Sequence, residues 1–302
     1  MSQLQYVKHQ DIDFNKWDNT ILSSQFPFVF AQSFYLSATC PQWDALVIGD
    51  YESVFPVTYK TKFGYRYLPQ PPFTSQLGAY GKVNPESEQL FYNYILGNFR
   101  LIDLELNTGN QLKSEFIVPK NTFYIDYGKE YKFNQNTKRN ITKALENDFI
   151  VEQVSDDNIV ALSKKYLSPF LEKEVHLAKT TVLLLDDLLR NAMAYKALYT
   201  FRVVNKDNSI KALAHFICNG KHALYLKGTN FDKADNSGSM HLVIAHAIDF
   251  FKDKALLFDF GGGSNSEGLA NFYRGFGGET MEYGFLRVNR LPWLIKFLKN
   301  KK

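Results

Sequence analysis

Ala255-Leu256-Leu257-Phe258-Asp259-Phe260-Gly261-Gly262-Gly263-Ser264-Asn265-Ser266-Glu267-Gly268-Leu269-Ala270-Asn271-Phe272-Tyr273-Arg274-Gly275-Phe276-Gly277-Gly278-Glu279 is the stretch on which the reading of this chain turns. Its apolar, aromatic opening is short enough for a buried strand, and the three glycines after it must turn the backbone. Ser264 and Glu267 stand at capping-box spacing, which predicts a helix start there. Leu269, Phe272, Tyr273 and Phe276 recur at three- and four-residue intervals and give that helix an apolar face. Gly275, Gly277 and Gly278 end it before another predicted strand, 280–289. Asp259 is thus a carboxylate at the C-terminal end of a strand, the place where open α/β sheets hold their ligands.

Working outward, 239–252 reads as a helix with Met240, Val243, Ile244, Ala247 and Phe251 inward. Strands are predicted over 195–204, 210–219 and 222–228, joined by Asn205-Lys206-Asp207-Asn208 and Asn219-Gly220-Lys221. Helical stretches around 157–171 and 180–192 precede them. In the first half, 43–48 and 53–58 read as a hairpin, Asn84-Pro85-Glu86 opens a helix to about 98, and 100–106 alternates as a strand. A strand over 122–126 and a basic amphipathic helix over 136–147 follow. These elements make an α+β chain of two domains, 1–150 and 151–302.

Three segments carry a resemblance to the FemABX-like acyltransferases, tandem-domain relatives of the GNAT acyl-CoA N-acyltransferases. Asp259-Phe260-Gly261-Gly262 with Gly268-Leu269-Ala270 and Phe272-Tyr273-Arg274-Gly275-Phe276-Gly277-Gly278 is similar to the family's C-terminal signature. Lys138-Arg139-Asn140-Ile141-Thr142-Lys143-Ala144 resembles its basic segment between domains, and Leu68-Pro69-Gln70-Pro71-Pro72-Phe73 with Gly78 and Gly81 is a third match. The resemblance implies two tandem GNAT-like domains, with each sheet flanked by helices. It also implies an N-acyltransferase that moves an acyl or aminoacyl group onto an amine, with the site in the second domain and the cleft beside it. In the Fem group the donor is aminoacyl-tRNA and the acceptor a peptidoglycan precursor of the cell envelope. An acyl-CoA-dependent N-acyltransferase of small or sugar amines is the alternative enzyme, and a degenerate precursor-binding protein the alternative without turnover. Neither reading requires a cofactor, since aminoacyl-tRNA or acyl-CoA enters as donor substrate.

Composition sets the outer bounds. The chain has 302 residues, 45% apolar and 22% charged, as expected for a folded protein, with aromatics at 16%. Six basic and no acidic residues lie between Arg287 and Lys302, leaving 29 basic against 31 acidic residues elsewhere. The body is therefore no general polyanion binder, and DNA is not an expected partner. Cys40 and Cys218 are read as buried thiols of a reducing compartment. Without a signal-peptide pattern or a long apolar run, a cytoplasmic location is expected. The basic tail, with Leu291, Leu294, Ile295 and Leu298 on one helical face, either docks on the second domain or touches an anionic membrane holding a lipid-linked acceptor. No P-loop or Gly-x-Ser-x-Gly elbow is present. His241 and His246 fall about 140° apart on a helix, so they do not form one metal site.

Asp259 is the first catalytic candidate, either as acceptor of the amine's proton or as anchor of the glycine turn. Tyr225 and Lys227, alternating on one strand, are expected on one face towards the glycine turn, with His215 on the neighbouring strand. Lys138 and Arg139 are candidates for phosphates of a tRNA, nucleotide or lipid-linked substrate. Tyr65, Arg66 and Gln70 would line the same cleft, and Arg274 would meet an anionic donor. The loop 228–239 occupies the position of a pyrophosphate cradle, but Asp235 and Met240 stand where a cation or amide and a small residue are expected. That substitution disfavours coenzyme A.

Overall fold

The computed structural model describes residues 3–62, 64–173, 175–231, 237–262 and 266–292. Two compact units emerge from the contacts. One comprises residues up to Lys120 together with those from Glu282, and the other spans Asn121–Met281. The units therefore do not part at residue 150. Residues 121–150 belong with the second unit, and the final strand returns to the first.

The first unit begins with β1 (Leu4–Val7), α1 (Phe14–Ser23), α2 (Ser33–Thr39), β2 (Asp44–Ile48), β3 (Ser53–Val57), β4 (Lys60–Lys62), β5 (Tyr65–Pro69) and β6 (Tyr80–Gly81). It continues with α3 (Pro85–Asn98) and β7 (Leu101–Glu105). Asp13 caps α1 by accepting from the N–H groups of Asn15 and Lys16, and Asn84 and Ser87 close a reciprocal capping box on α3. Trp17 and Trp43 pack at 4.7 Å with no exposed surface, and the Trp17 indole donates to Ala31 O at 2.7 Å. The strands form two groups, β1-β2-β3-β6 and β4-β5-β7, with β5 parallel to β7. Between β5 and β6 the prolines remove backbone donors, and side-chain amides take over the ladder's work. Gln70 accepts from Glu105 N and donates to Thr74 O, both at 3.0 Å, while Gln76 accepts from Thr108 N at 2.8 Å.

The second unit takes its first strand from β8 (Ile117–Asp126), followed by α4 (Gln135–Glu146) and β9 (Ile150–Gln153). Next come α5 (Asp156–Leu162), a π-helical turn over Ser163–Leu167, α6 (Ser168–Lys173) and α7 (Lys179–Ala194). The sheet strands β10 (Leu198–Val204), β11 (Ile210–Cys218) and β12 (His222–Asn230) lead to α8 (Ser239–Phe251), β13 (Leu257–Asp259), α9 (Glu267–Gly275) and β14 (Glu279–Asn289). In sheet order the unit reads β8-β13-β12-β11-β10-β9, all antiparallel except β12 with β13. One face is filled by Phe201, Phe216, Phe251, Phe258 and Phe276, with α8 laid over them. From Glu282 β14 belongs to the first unit and pairs antiparallel with β7, Phe285 opposite Glu105. β8 meanwhile supplies the second unit's edge of β13, Ile125 opposite Phe258. Each unit is thus completed by a strand that follows the other's helix–strand run, which no shift of local composition marks. The expected Ser264 cap lies outside the described residues; α9 is capped by Ser266, whose hydroxyl accepts from Leu269 N.

Candidate active site

The site is built where β12 and β13 part. Their parallel pairing covers His222–Leu257, Ala223–Phe258 and Leu224–Asp259 and then stops, while β12 runs on to Asn230. Asp259 fixes this point. One of its carboxylate oxygens accepts from Gly261 N at 2.8 Å, the other meets His222 Nε2 at 3.1 Å, and the side chain is almost wholly buried. Gly261 adopts φ +73°, and a Cβ there would lie 2.6 Å from Tyr225 O. Only glycine lets the turn come against β12 in this way. Of the two tasks open to Asp259, its geometry shows the anchoring one; it does not line the cavity described next.

A β-bulge at Leu226 sorts the next residues. Phe216 of β11 stands opposite Tyr225, and His215 stands opposite Lys227, with the register slipping between them. Tyr225 therefore shares the α8 face with Phe216, ring to ring at 5.4 Å, and Lys227 shares the other face with His215. The expected common face for Tyr225 and Lys227 is corrected by this extra residue, because a period of two inverts across a bulge.

Tyr225 opens onto a cavity of about 500 Å³, lined also by Phe170, Gly228, Met240, His241, Phe272 and Tyr273. Burial raises the Tyr225 hydroxyl well above the usual phenol range, with Tyr273 beside it adding to the effect. Tyr273 is raised to about 12, by burial first and then by the nearby Asp259 charge. Both phenols remain protonated donors. His241, in the first turn of α8, packs against Phe272 and Phe276 at 4.9 and 5.8 Å. Burial holds its pKa below the ordinary histidine value, so near neutrality it is an uncharged imidazole able to take a proton. A Cβ on Gly228 would meet the Tyr225 hydroxyl at 2.7 Å, Leu213 O at 2.9 Å and the Met240 methyl at 3.1 Å. Met240 thus occupies the mouth of α8, as its size suggests. Among the described lining residues none is a lysine or arginine.

His241, Phe272 and Tyr273 escape a sequence reading that tests His241 only as a metal ligand and the aromatics only as core. The available signal was their position: the first turn of the helix after the long β12 connection, and the inner face of the signature helix.

The remaining candidates lie elsewhere. Lys138 and Arg139 are exposed on α4, Arg139 bonded to Asn136 Oδ1 at 3.0 Å. Arg274 is exposed and held by Glu267 and Asn271 at 3.2 and 3.1 Å. None of these three lines the cavity. In the first unit Arg66 lies 3.7 Å over the Tyr59 ring and donates to the Tyr6 hydroxyl at 2.8 Å, and Tyr6 in turn bonds buried Asp44. Tyr65 sits under the Arg100 guanidinium, and Gln70 serves the backbone as described. These three are the first unit's internal bonding. Cys40 and Cys218 are both buried free thiols. Asp235, Gly263 and the tail from Trp293 lie outside the described residues. Among the described residues no helix is long and apolar enough to cross a membrane.

No protein-family model and no curated sequence matches the chain. Solved structures do. FemX superposes with a TM-score of 0.70 at 10% identity, covering 99% of this chain and 100% of its own. The chain has the tandem GNAT-like fold. A tandem GNAT protein from the clavulanic acid biosynthesis pathway matches at 0.51 and 9% identity, over 96% of this chain and 99% of that one. The C-terminal domain of a putative lysylphosphatidylglycerol synthetase from Agrobacterium fabrum matches at 0.58 and 8% identity, over 96% of both chains. The end of β12 beyond its pairing with β13 and the start of α8 border the cavity of the second unit.

Proposed function

We propose that this chain is an N-acyltransferase whose second unit binds an activated acyl or aminoacyl donor over the cavity beside β12. The observation that carries the reading is the stretch Tyr225–Asn230. It continues past its parallel partner and borders a 500 Å³ cavity that contains protonated phenols and a neutral imidazole. An ester or thioester is already activated, so the protein's task is to orient the amine, take its proton and support the carbonyl oxygen. Tyr225 can donate to that oxygen or to the leaving group, and His241 can accept the amine's proton. No covalent intermediate on the protein is needed.

The absence of cationic side chains among the described lining residues, together with Met240 at the α8 mouth, disfavours the pyrophosphate of acyl-CoA, and aminoacyl-tRNA is the donor suggested by the resemblance to the Fem group. An envelope precursor would then be the acceptor. The acyl-CoA reading draws on α8 itself, whose Gly238 cap supplies no side-chain hydrogen bond and leaves first-turn N–H groups to a ligand. Transfer assays with charged tRNA and with acetyl-CoA, each offered UDP-linked muropeptide and glucosamine, separate the two. Product from the tRNA arm supports the first reading, and product from acetyl-CoA alone replaces it with the second. Absence of product in both arms refutes the transferase reading.

A further inference from the structure

The cavity beside β12 is walled by uncharged side chains, and its sides differ in character. Among the described lining residues there is no acid and no lysine or arginine. Where β12 meets α8, the polar groups bond one another. Ser239 Oγ donates to Asn230 Oδ1 at 3.0 Å, and Thr229 Oγ1 donates to Asn230 O at 3.0 Å. On the α9 side, Leu269, Phe272 and Tyr273 fall three and four residues apart and turn one apolar face to the cavity. His241 extends that face, its ring 4.9 Å from Phe272, and burial keeps it uncharged near neutrality.

Leu269 lines the cavity and is 47% exposed, so its side chain stands at the rim with apolar surface for a ligand to cover. The charges of α9 do not reach in: Glu267 and Arg274 pair with each other at 3.2 Å, and neither lines the cavity. Phe170 of α6 adds another ring, and Met240 an unbranched thioether that adapts to the shape beside it. At about 500 Å³ the space lies within the range of roughly 300–1,000 Å³ that small-molecule sites occupy. An acetyl or glycyl group would leave most of the apolar wall bare.

We infer that the group carried by the donor is a bulky, uncharged apolar acyl chain, aromatic or branched, packed against the α9 face of this cavity. The assignment of that chain to the donor rests on the acyltransferase reading. With the acyl carbonyl at the Tyr225 hydroxyl, the chain lies over Phe272 and reaches Leu269 at the rim. A charged chain would lose its hydration and meet no counter-charge there, since the polar groups at the β12–α8 junction already bond one another. A methyl-sized chain would gain little, because the stabilisation grows with the apolar area removed from water.

The test uses free carboxamides, which keep the acyl carbonyl and vary the chain: phenylacetamide, acetamide, and adipamate, whose longer chain ends in a charge. In ligand-observed NMR titrations of the full chain, phenylacetamide should bind about tenfold or more tightly than either of the others. Leu269→Glu completes a capping box with Ser266 and so keeps α9, but it replaces the apolar rim by a charge and should remove most of that preference. Independently of any variant, the methyl resonance of Met240 in the unaltered protein should move on adding phenylacetamide, through its ring current, and not on adding acetamide. Equal affinities for the three amides, a preference unchanged in folded Leu269→Glu, or a silent Met240 methyl would each overturn the inference. These measurements read binding without turnover. The preference in a chain that transfers nothing would retain the apolar site and remove only its link to acylation. Transfer of acetyl or glycyl groups as fast as phenylacetyl would keep the transferase reading and end the inference.

Discussion

His222 Nε2 lies 3.1 Å from Asp259 Oδ2 across the parallel pairing of β12 and β13, with both side chains sealed from solvent. The contact ties the last paired residue of β13 to the first paired residue of β12, and Gly261 is held from the same carboxylate. A buried polar pair thus stands at the point where the strands separate.

Replacing Asp259 by Ala leaves Gly261 N–H and His222 without this acceptor, and should cost about 1–3 kcal/mol of stability in urea unfolding. Asp259→Asn keeps an oxygen for Gly261 and should cost less, with turnover per folded molecule within about tenfold of the parent. A folded Asp259→Asn protein slowed by roughly 10²–10⁴ would instead make Asp259 the proton acceptor.

His241→Ala should slow transfer by about 10²–10⁴ with donor affinity preserved. Burial lowers the His241 pKa, so the competent neutral ring persists below the ordinary histidine value and is lost only as pH falls further. The acid limb of kcat should thus lie below about 6.5 and vanish in His241→Ala. A pH–rate profile with an unchanged acid limb would assign the base elsewhere.

His215 makes stability depend on acid. Burial pushes its pKa down to about 3, against about 6.5 in an unfolded chain. Between these values the unfolded state binds the extra proton, so stability is full above about pH 6.5 and declines as pH falls towards 3. The slope approaches about 1.4 kcal/mol per pH unit, and His215→Gln should remove that contribution. Matched urea titrations at pH 7 and 5 read the difference; equal losses in both proteins would show another group responsible.

Gly228→Ala sets a methyl against Leu213 O and the Tyr225 hydroxyl. The strand backbone cannot yield as a side chain can, so destabilisation of about 1–3 kcal/mol is expected, with weakened donor binding. Unchanged stability and unchanged donor affinity would show that β12 has slack at this point.

Gln70→Ala removes the acceptor for Glu105 N–H and should lower the first unit's stability by about 1–2 kcal/mol, leaving substrate KM untouched. A raised KM without loss of stability would return Gln70 to the substrate site.

Much of the fold was legible because helices and hairpins are written locally. The Asn84-Pro85 start fixes α3 over Pro85–Asn98, and the periodic apolar faces of α8 and α9 are visible as intervals of three and four. The glycine turn after Asp259 and the antiparallel run β10–β12 belong to the same class. These features depend on neighbours within a few residues, and the linear chain states them.

The sequence by itself determined the alternation of strands and helices, the capped helices, the turn that only glycine can make at position 261 and the aromatic stock of the core. Tertiary structure alone decided which strands complete which unit, since β8 and β14 take their places through pairings with β13 and β7 far away in the chain. It also decided that Tyr225 and Lys227 face opposite ways, because one extra residue in β12 inverts a period of two and leaves no mark in composition. Long-range pairing likewise turned His241 towards a cavity, tied Arg66 to Tyr6 and Tyr59, and buried His215 beside Lys227. Side-chain chemistry is written in each residue, but burial and partner are set by segments that meet only when the chain has folded.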